Sequence, residues 1–303
     1  MNARPLGLLG LLFPSLLLST AQASGDAISF DGTDDHVALG ALDPGTEFTF
    51  ETWTQGTYTT GTSLYHTIFE AVDPTTARNE FYLGYVRDLW QIEIVDATGS
   101  EGDGCRSDAA DHLCYTDLPP DSEDLVHLAL TYRDGDAYFY INGELVVSGT
   151  ASTPPTWGSA EWIVGMDSDT AGTVTSDPFN GTMDEVRIWS TARTQAQIQC
   201  TMPWALTGTE ANVYGLWNGS GSGTTLSDAT GANDGLLVGG ASLVASPFDL
   251  DISLGGDVTC FDYDQDGWSV DDGDCDDTDA SAYPGATDTW YDGVDSDCDG
   301  AND

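Results

Sequence analysis

Short stretches in which apolar and polar residues alternate follow one another from Ala27 to about Val244. The alternation is clearest in three stretches, which contain Ile28 and Phe30, Phe48 and Phe50, and Val126, Leu128 and Leu130. A period of two is typical of β-strands that bury one face, and turn-forming residues separate the stretches. Many short strands with almost no helical periodicity predict an all-β sandwich for this part of the chain.

Three local signals make the prediction more specific. Ala137–Ile141 and Glu144–Val147 are strand-like and flank Asn142-Gly143, a dipeptide that favours a type I′ hairpin turn. Met183–Trp189 is a further strand. Thr194–Gln197 has the form of a capping box, so it predicts the start of a short helix.

Three longer motifs occur in a fixed order along this region. They are Ile28-Ser-Phe-Asp-Gly-Thr-Asp-Asp-His-Val37, His127–Tyr132 with Tyr140–Glu144, and Gly181–Trp189. Together they resemble the laminin-G-like, concanavalin A-type jellyroll domains over about residues 26–199. Leu206–Glu210, Gly215–Trp217 and Gly235–Gly239 are similar to the segment that closes such sandwiches, which extends the resemblance to about residue 247. The resemblance implies a two-sheet antiparallel jellyroll that binds ligands at a loop rim, often with Ca²⁺.

That resemblance singles out five possible metal ligands in the jellyroll. Asp31, Asp34 and Asp35 follow the first strand, and Asp184 and Glu185 lie in the last motif. Since the first and last strands of such folds lie side by side, the five side chains could converge, but the residues themselves favour the alternative. The alternative is that Asp34 and Asp35 only form a turn, and that Asp184 or Glu185 pairs with Arg187.

The last 44 residues, Cys260 to Asp303, contain 15 Asp and no Lys, Arg or His. Within them, Asp262–Gly267 and Asp295–Gly300 both read D-x-D-x-D-G. Alternate carboxylates closed by a glycine that can adopt positive φ are suited to wrap oxygens around Ca²⁺. A disordered acidic tail is the alternative, but the aromatic residues, Cys275 with Cys298, and the spacing of the glycines favour a folded module.

The two loops differ from EF-hands. An EF-hand has a bidentate Glu at its twelfth position, but the twelfth position counted from Asp262 is Gly273, which offers no side-chain ligand. The missing oxygens must therefore come from the block Asp271–Asp279, which a Cys275–Cys298 disulfide would bring against the second loop. The module resembles the MopE-type metal-binding repeat of bacterial surface proteins over about residues 262–303, through Asp274–Asp279, Tyr283–Ala286 and Gly293–Gly300. The candidate ligands are Asp262, Asp264, Asp266, Asp272, Asp274, Asp276, Asp277, Asp279, Asp295, Asp297 and Asp299. Asp288 and Asp303 lie outside the repeat frame and are expected to contribute much less.

The remaining cysteines have two further predicted pairings. Cys105 and Cys114 bracket a short loop, and Cys200 with Cys260 would tie the sandwich to the acidic module. Six cysteines allow fifteen pairings, so these assignments rest on proximity and resemblance. Structural disulfides agree with an exported protein.

The amino-terminal residues predict export. Met1–Arg4, the leucine-rich Pro5–Ser19 and Ala21-Gln-Ala23 together form a typical signal peptide cleaved before Ser24. An uncleaved anchor is the alternative, and no other stretch is apolar enough to span a bilayer. The predicted organisation is therefore a signal peptide (1–23), the jellyroll (24–247), a linker (248–259) and the metal-binding module (260–303), in a secreted or cell-surface protein.

Charge and the motifs that are missing narrow the function. The net charge is −44, with seven Arg and no Lys among 303 residues, which disfavours binding to nucleic acid or to an anionic membrane. Neither G-x-S-x-G nor H-E-x-x-H occurs, and the E-x-D-x-x-E strand of jellyroll glycosidases is missing. The sequence does not exclude a pair of catalytic carboxylates that lie far apart along the chain, such as Glu51 with Glu93. The sequence favours a non-catalytic protein that binds a glycan or an extracellular protein with Ca²⁺. A glycan hydrolase or lyase, or a structural envelope component, is the alternative.

Overall fold

The computed structural model describes residues 26–57, 65–73, 78–86, 89–94, 112–115, 124–150, 160–168, 177–248, 264, 266–270, 273–289 and 293–300. The predicted leader, residues 249–259 of the linker, and Cys105, Cys260, Asp262, Asp272 and Asp303 lie outside these residues. The pairings of Cys105 with Cys114 and of Cys200 with Cys260 therefore stay predictions. Cys200 itself is disulfide-bonded.

Seventeen strands and one helix occur in the described residues. In chain order they are β1 (Asp26–Asp31), β2 (His36–Ala41), β3 (Glu47–Gly56), β4 (Tyr65–Asp73), β5 (Arg78–Val86), β6 (Leu89–Ile94), β7 (His112–Tyr115), β8 (Val126–Arg133), β9 (Asp136–Ile141), β10 (Glu144–Thr150), β11 (Glu161–Val164), β12 (Asn180–Trp189), α1 (Gln195–Thr201), β13 (Val213–Trp217), β14 (Gly221–Ser222), β15 (Thr225–Leu226), β16 (Gly235–Val238) and β17 (Ser242–Ala245).

The strands form two antiparallel sheets. The order in the first sheet is β10-β9-β8-β3-β12-β1-β17, with β13 also paired to β12. The order in the second sheet is β14-β15-β16-β2-β11-β4-β5-β6-β7. Neighbours in sheet order are often distant in sequence, as a jellyroll requires. The predicted all-β, two-sheet fold is confirmed.

The core lies between the two sheets because alternate side chains of each strand point inward. Phe50 of β3 stacks on Phe69 of β4 across the sandwich, with ring centroids 4.1 Å apart. Trp162 of β11 packs against Phe69 at 5.0 Å. Trp162 and Trp90 are buried, so these two tryptophans are core residues rather than exposed binding residues.

The local signals in the sequence fold as predicted. Asn142 and Gly143 have φ values of 51° and 75°, the positive values that a type I′ turn requires. Thr194 caps α1: its side chain accepts from the Gln197 amide, and the Gln197 side chain accepts from the Thr194 amide. No helix among the described residues is both long and apolar enough to cross a membrane.

Two pairings place the first strand beside a late one. β1 pairs with β12 so that Ile28 lies opposite Met183 and Asp31 lies opposite Asn180. On its other side β12 pairs with β3. β12 is thus central in the first sheet and fixes the positions of residues on both of its neighbours.

The sandwich extends beyond its predicted boundary at residue 247. Phe248 is buried with Ala27, and its ring centroid lies 6.1 Å from that of Trp53. Phe248 therefore covers part of the outer face of the first sheet, although the sequence analysis places it in the linker.

Replacing Phe248 tests this packing. Phe248→Ala should lower the free energy of unfolding by about 3 kcal/mol, because a large buried ring is lost. The matched control is Leu236→Ala, since Leu236 is 49% exposed and its loss should cost less than about 0.5 kcal/mol. Urea unfolding of both variants measures the difference. Equal stability of the two would mean that Phe248 adds nothing to the sandwich.

Candidate functional site

Three carboxylates meet in the loop between β1 and β2. Asp31, Asp34 and Asp35 each place an oxygen within 4.8 Å of the others. Asp31 Oδ1 accepts a hydrogen bond from the Thr33 amide, and Asp35 Oδ2 accepts one from the Asp31 amide, each at 2.8 Å. Asp35 is buried, its Oδ1 accepts no hydrogen bond, and burial raises its pKa above the usual value. The loop has the turn hydrogen bonds of the alternative interpretation, together with a buried oxygen suited to a cation.

The other two jellyroll candidates do not join this cluster. Asp31 lies opposite Asn180, so Asp184 is four strand positions away, about 13 Å along the sheet. The convergence of Asp31, Asp34 and Asp35 with Asp184 and Glu185 that the resemblance allowed therefore does not occur. The first and last strands are adjacent as expected, but their register separates the two acidic groups.

Asp184 and Glu185 have partners of their own. Asp184 Oδ2 accepts from the Ser246 hydroxyl at 2.6 Å, and Asp184 Oδ1 accepts from the Glu185 amide at 2.7 Å. The carboxylate of Glu185 lies 2.9 Å from Arg187 Nη2 and also accepts from the Leu206 amide at 3.1 Å. This is the pairing that the alternative interpretation predicts.

A buried ion-pair network continues from Arg187. Arg187 Nη1 lies 3.5 Å from Glu51, and Arg193 Nη1 lies 2.8 Å from the other oxygen of Glu51. Arg193 also donates to the Thr201 hydroxyl of α1 at 2.6 Å. Glu51 is therefore held as an anion beneath the helix, and it faces away from the second sheet, where Glu93 lies. The two cannot form the carboxylate pair considered from the sequence.

The pKa values reflect this burial. Although burial alone would raise it, the charges of Arg193 and Arg187 and the His127 ring, whose Nε2 lies 3.4 Å from a Glu51 oxygen, hold the pKa of Glu51 at about 2. Burial raises the pKa of Asp184 to about 6 and that of Glu185 to about 7. Each of these groups has a structural partner, so their shifts report on the stability of the sandwich.

The first acidic loop of the module gathers three carboxylates. Oxygens of Asp264, Asp266 and Asp274 lie within 4.8 Å of one another. Asp264 Oδ1 accepts from the Asp266 amide at 3.2 Å, and Asp274 Oδ1 accepts from the Asp276 amide at 2.9 Å. Asp274 Oδ2 is buried and accepts no hydrogen bond. The prediction that the Asp271–Asp279 block completes the first loop agrees with the position of Asp274.

The second acidic loop is completed by a residue that the sequence analysis excluded. Oxygens of Asp288, Asp295 and Asp297 lie within 4.8 Å of one another, and Asp295 Oδ1 is buried without a hydrogen bond. Asp288 Oδ1 accepts from the Ser296 amide at 2.7 Å. The sequence analysis placed Asp288 outside the site, and this placement was wrong. The turn-forming dipeptide Pro284-Gly285 was the available signal in the sequence. In the structure the Tyr283 amide donates to the Ser296 carbonyl at 2.9 Å, which brings the chain back to the second loop.

A disulfide joins the middle block to the second loop. Cys275 and Cys298 are bonded, and the Cys275 amide lies 3.2 Å from Cys298 Sγ. Gly267 and Gly300, which close the two D-x-D-x-D-G segments, have φ values of 100° and 88°, as the motif predicts. The predicted link between the middle block and the second loop is confirmed.

Four further predicted ligands lie outside these clusters of the described residues. Asp276 accepts from the Thr278 hydroxyl, Asp279 accepts from the Ser281 amide and hydroxyl, and the Asp299 amide donates to Asp297. Asp277 is buried. Their acidic side chains stay candidate ligands only through the sequence motif.

Comparison with known families agrees with both parts of the chain. Residues 31–199 match the family described as "Concanavalin A-like lectin/glucanases superfamily". Residues 274–303 match the family Cu-binding_MopE, described as "Putative metal-binding motif". No protein with a curated description matches the chain.

Two solved structures share the sandwich fold. A "putative carbohydrate binding protein from Bacteroides ovatus ATCC 8483" is 18% identical, with a TM-score of 0.55. The match covers 76% of this chain and 63% of that one, so the chain spans less than two thirds of its length. A SAP-like pentraxin from Limulus polyphemus is 12% identical, with a TM-score of 0.51, and the match covers 75% of this chain and 97% of that one. At these identities the similarity shows the fold alone.

The position of Asp288 generates the first prediction for the module. Asp288→Asn should weaken Ca²⁺ binding at the second loop at least tenfold, roughly 1.4 kcal/mol, because one charge leaves the cluster. Calorimetric titration of the chain with Ca²⁺ measures this. Asp43→Asn is the matched control, since Asp43 is exposed on the sandwich and belongs to no predicted ligand set. Equal losses in the two variants would contradict the assignment of Asp288.

The buried Asp184 generates a prediction for pH. Its pKa is about 6 in the folded chain against an ordinary 3.8, so between these values the folded state keeps a proton that the unfolded state has released. The free energy of unfolding should therefore fall by up to ~3 kcal/mol as pH rises from about 4 to about 6.

Asp184→Asn should remove most of this loss, because the amide keeps the shape without the charge. Removing the charge also lowers the neighbouring Glu185 pKa, which flattens the profile further. Urea unfolding at each pH measures it, with the exposed Glu161→Gln as control. A variant profile as steep as that of the wild type would show that Asp184 does not cause the loss.

Proposed function

Because the chain belongs to the concanavalin A-like lectin/glucanases superfamily, we propose that it is an exported, non-catalytic recognition protein. Its sandwich binds glycan, and its acidic carboxy-terminal module binds Ca²⁺. The predicted signal peptide supports export to the cell surface or the surrounding medium. The alternative ligand, an extracellular protein, is an outcome of the experiment below.

The observation that carries the proposal is the pair of carboxylate clusters joined by the Cys275–Cys298 disulfide. Several Asp side chains give one oxygen to a backbone amide, while Asp274 Oδ2 and Asp295 Oδ1 are buried within the two clusters. Like charges this close repel one another unless a cation lies between them. The arrangement supports a metal site in each loop.

The donor atoms favour Ca²⁺ over the softer metals. The family model carries the name Cu-binding, but both cysteines of this module are oxidised and its clustered donors are carboxylate oxygens. Hard oxygens suit Ca²⁺ and disfavour Cu or Zn relative to thiolate or imidazole sites. Affinities on the order of 10⁻⁴ to 10⁻³ M are expected, as in other extracellular modules.

The sandwich supports recognition rather than catalysis. Glu51 is held between Arg187 and Arg193, so it is unsuited to transfer a proton to a substrate. The cluster of Asp31, Asp34 and Asp35 lies at a loop rim and would hold a cation there. The similar Bacteroides ovatus protein is described as carbohydrate binding, which supports the same class of ligand here.

A glycan hydrolase or lyase is the second candidate, and one observation favours it. The strand register places Glu70, Tyr82 and Glu93 side by side on β4, β5 and β6. Two carboxylates flank the tyrosine on one face of the second sheet, with Cα atoms about 10 Å apart. Hydrolysis of a glycosidic bond requires two carboxyl groups, although at a shorter distance between the carboxyls themselves.

One experiment separates these functions. The purified chain is applied to a glycan array with millimolar Ca²⁺ and again with a chelator, and the same glycans are assayed for released sugars. We expect binding that needs Ca²⁺ and no released sugar. Release of reducing ends or unsaturated products would establish the enzyme instead. No binding to any glycan, with retention on extracellular proteins, would replace glycan by protein as the ligand.

A further inference from the structure

A groove crosses the outer face of the first sheet, between the β8–β9 hairpin and the segment Ala192–Thr194. It encloses about 270 Å³. The segment follows the end of β12, whereas Asp31 pairs with Asn180 at the start of that ten-residue strand. The groove therefore lies about 30 Å along the sheet from the Asp31 cluster, so the two are separate places on the molecule.

Two tyrosines line the groove from one strand. Tyr138 and Tyr140 of β9 both point outward, because they alternate along the strand with Ala137 and Phe139, which belong to the core. Tyr140 is buried against Ala129 and Ile198 of α1, so its ring is fixed. Tyr138 is 37% exposed. The groove thus combines an immobile aromatic wall with an aromatic ring that is open to a ligand.

Polar groups surround these rings in fixed positions. Arg133 donates to Glu47 at 2.6 Å and to the Ala192 carbonyl at 3.5 Å, which ties the hairpin to the opposite wall. Asp134 lies in the two-residue turn between β8 and β9, and Asp136 is the first residue of β9. Asp136 Oδ1 accepts from the Thr150 hydroxyl at 2.8 Å, which holds the carboxylate in place.

This combination matches the chemistry of a sugar ring. The C–H groups on one side of a pyranose carry partial positive charge and pack on the negative face of an aromatic ring. Its hydroxyls donate to carboxylates and accept from a guanidinium. The volume is near the lower end of the range for ligand pockets, about 300 Å³, which suits one ring rather than a long chain.

The local charge selects among sugars. Asp134 and Asp136 line the groove, Arg133 is already paired with Glu47, and Arg193 is paired with Glu51. The whole chain carries a net charge of −44. A carboxylated or sulfated sugar would therefore be repelled, whereas a neutral hexose would be accepted.

We infer that this groove binds one neutral pyranose unit of the glycan, with Tyr138 packing on the sugar ring and Asp136 accepting from its hydroxyls. The inference rests on the proposed glycan-binding function and names the place and the class of sugar. It also makes the groove, rather than the β1–β2 loop, the contact surface for the sugar.

Ligand-observed NMR and calorimetry of the full chain in millimolar Ca²⁺ test the inference. The probes are the methyl pyranosides of glucose, galactose and mannose, with N-acetylneuraminic acid as the acidic comparison. Tyr138→Ala should weaken binding of the neutral sugar at least tenfold. Tyr138→Phe should retain binding within about threefold, because the ring face remains. Leu236→Ala, an exposed apolar residue of the second sheet, should leave it unchanged.

The outcomes separate this inference from the proposed function. If the wild type binds neutral sugars and Tyr138→Ala binds equally well, the groove is not the site although glycan binding stands. If Asp35→Asn abolishes binding while Tyr138→Ala retains it, the β1–β2 loop contacts the sugar instead. Binding of the acidic sugar alone overturns the predicted class. If no glycan on the array and no pyranoside binds, both proposals fail. Thermal unfolding of each variant shows that a loss of binding reflects the site rather than the fold.

Discussion

The packing on the outer side of the first sheet depends on the contacts of one fully buried group, the guanidinium of Arg187. It bonds to Glu185 and Glu51 and donates to the carbonyls of Thr201 and Trp204. A strand, a helix and the segment after the helix are thereby joined through one side chain. A complete buried network of this kind adds little net stability, but loss of one partner leaves an uncompensated charge and costs about 3–5 kcal/mol. Its main effect is to fix geometry.

That geometry determines what the sandwich can present to a ligand. Arg193 bonds to Glu51 and to the Gln197 carbonyl of α1, and its guanidinium packs on the ring of Trp189 at 3.8 Å. The segment Ala192–Thr194 is therefore held against the sheet and forms one wall of the groove that contains Tyr138. Arg187 and Arg193 are both buried, although arginine side chains are mostly exposed in proteins. The surface of the chain is therefore left strongly acidic.

The acidic module solves a different problem with different means. The module cannot fold through apolar contacts alone, because its carboxylates are numerous and close together. Its described part contains few buried apolar residues, Ala282 among them. Backbone amides neutralise one oxygen of several Asp side chains, and the Cys275–Cys298 disulfide holds the loops together. The remaining repulsion is what a bound cation would relieve, so metal binding and folding are expected to be coupled.

The sequence alone determined the features that depend on near neighbours. Strand periodicity, the Asn142-Gly143 turn, the cap at Thr194 and the positive φ of Gly267 and Gly300 are set by local sterics and hydrogen bonds, and each was predicted. The motifs also indicated the fold family and the Cys275–Cys298 bridge.

Only the tertiary structure decided which distant residues meet. The register of β1 on β12 separates Asp31 from Asp184, the return of the chain after Tyr283 brings Asp288 to Asp295, and Phe248 packs on Trp53. Strand adjacency could be expected from the motifs, but register depends on hydrogen bonds and packing summed along whole strands. A local sequence pattern does not contain that sum, so the ligand sets and the outer groove could be identified only from the folded structure.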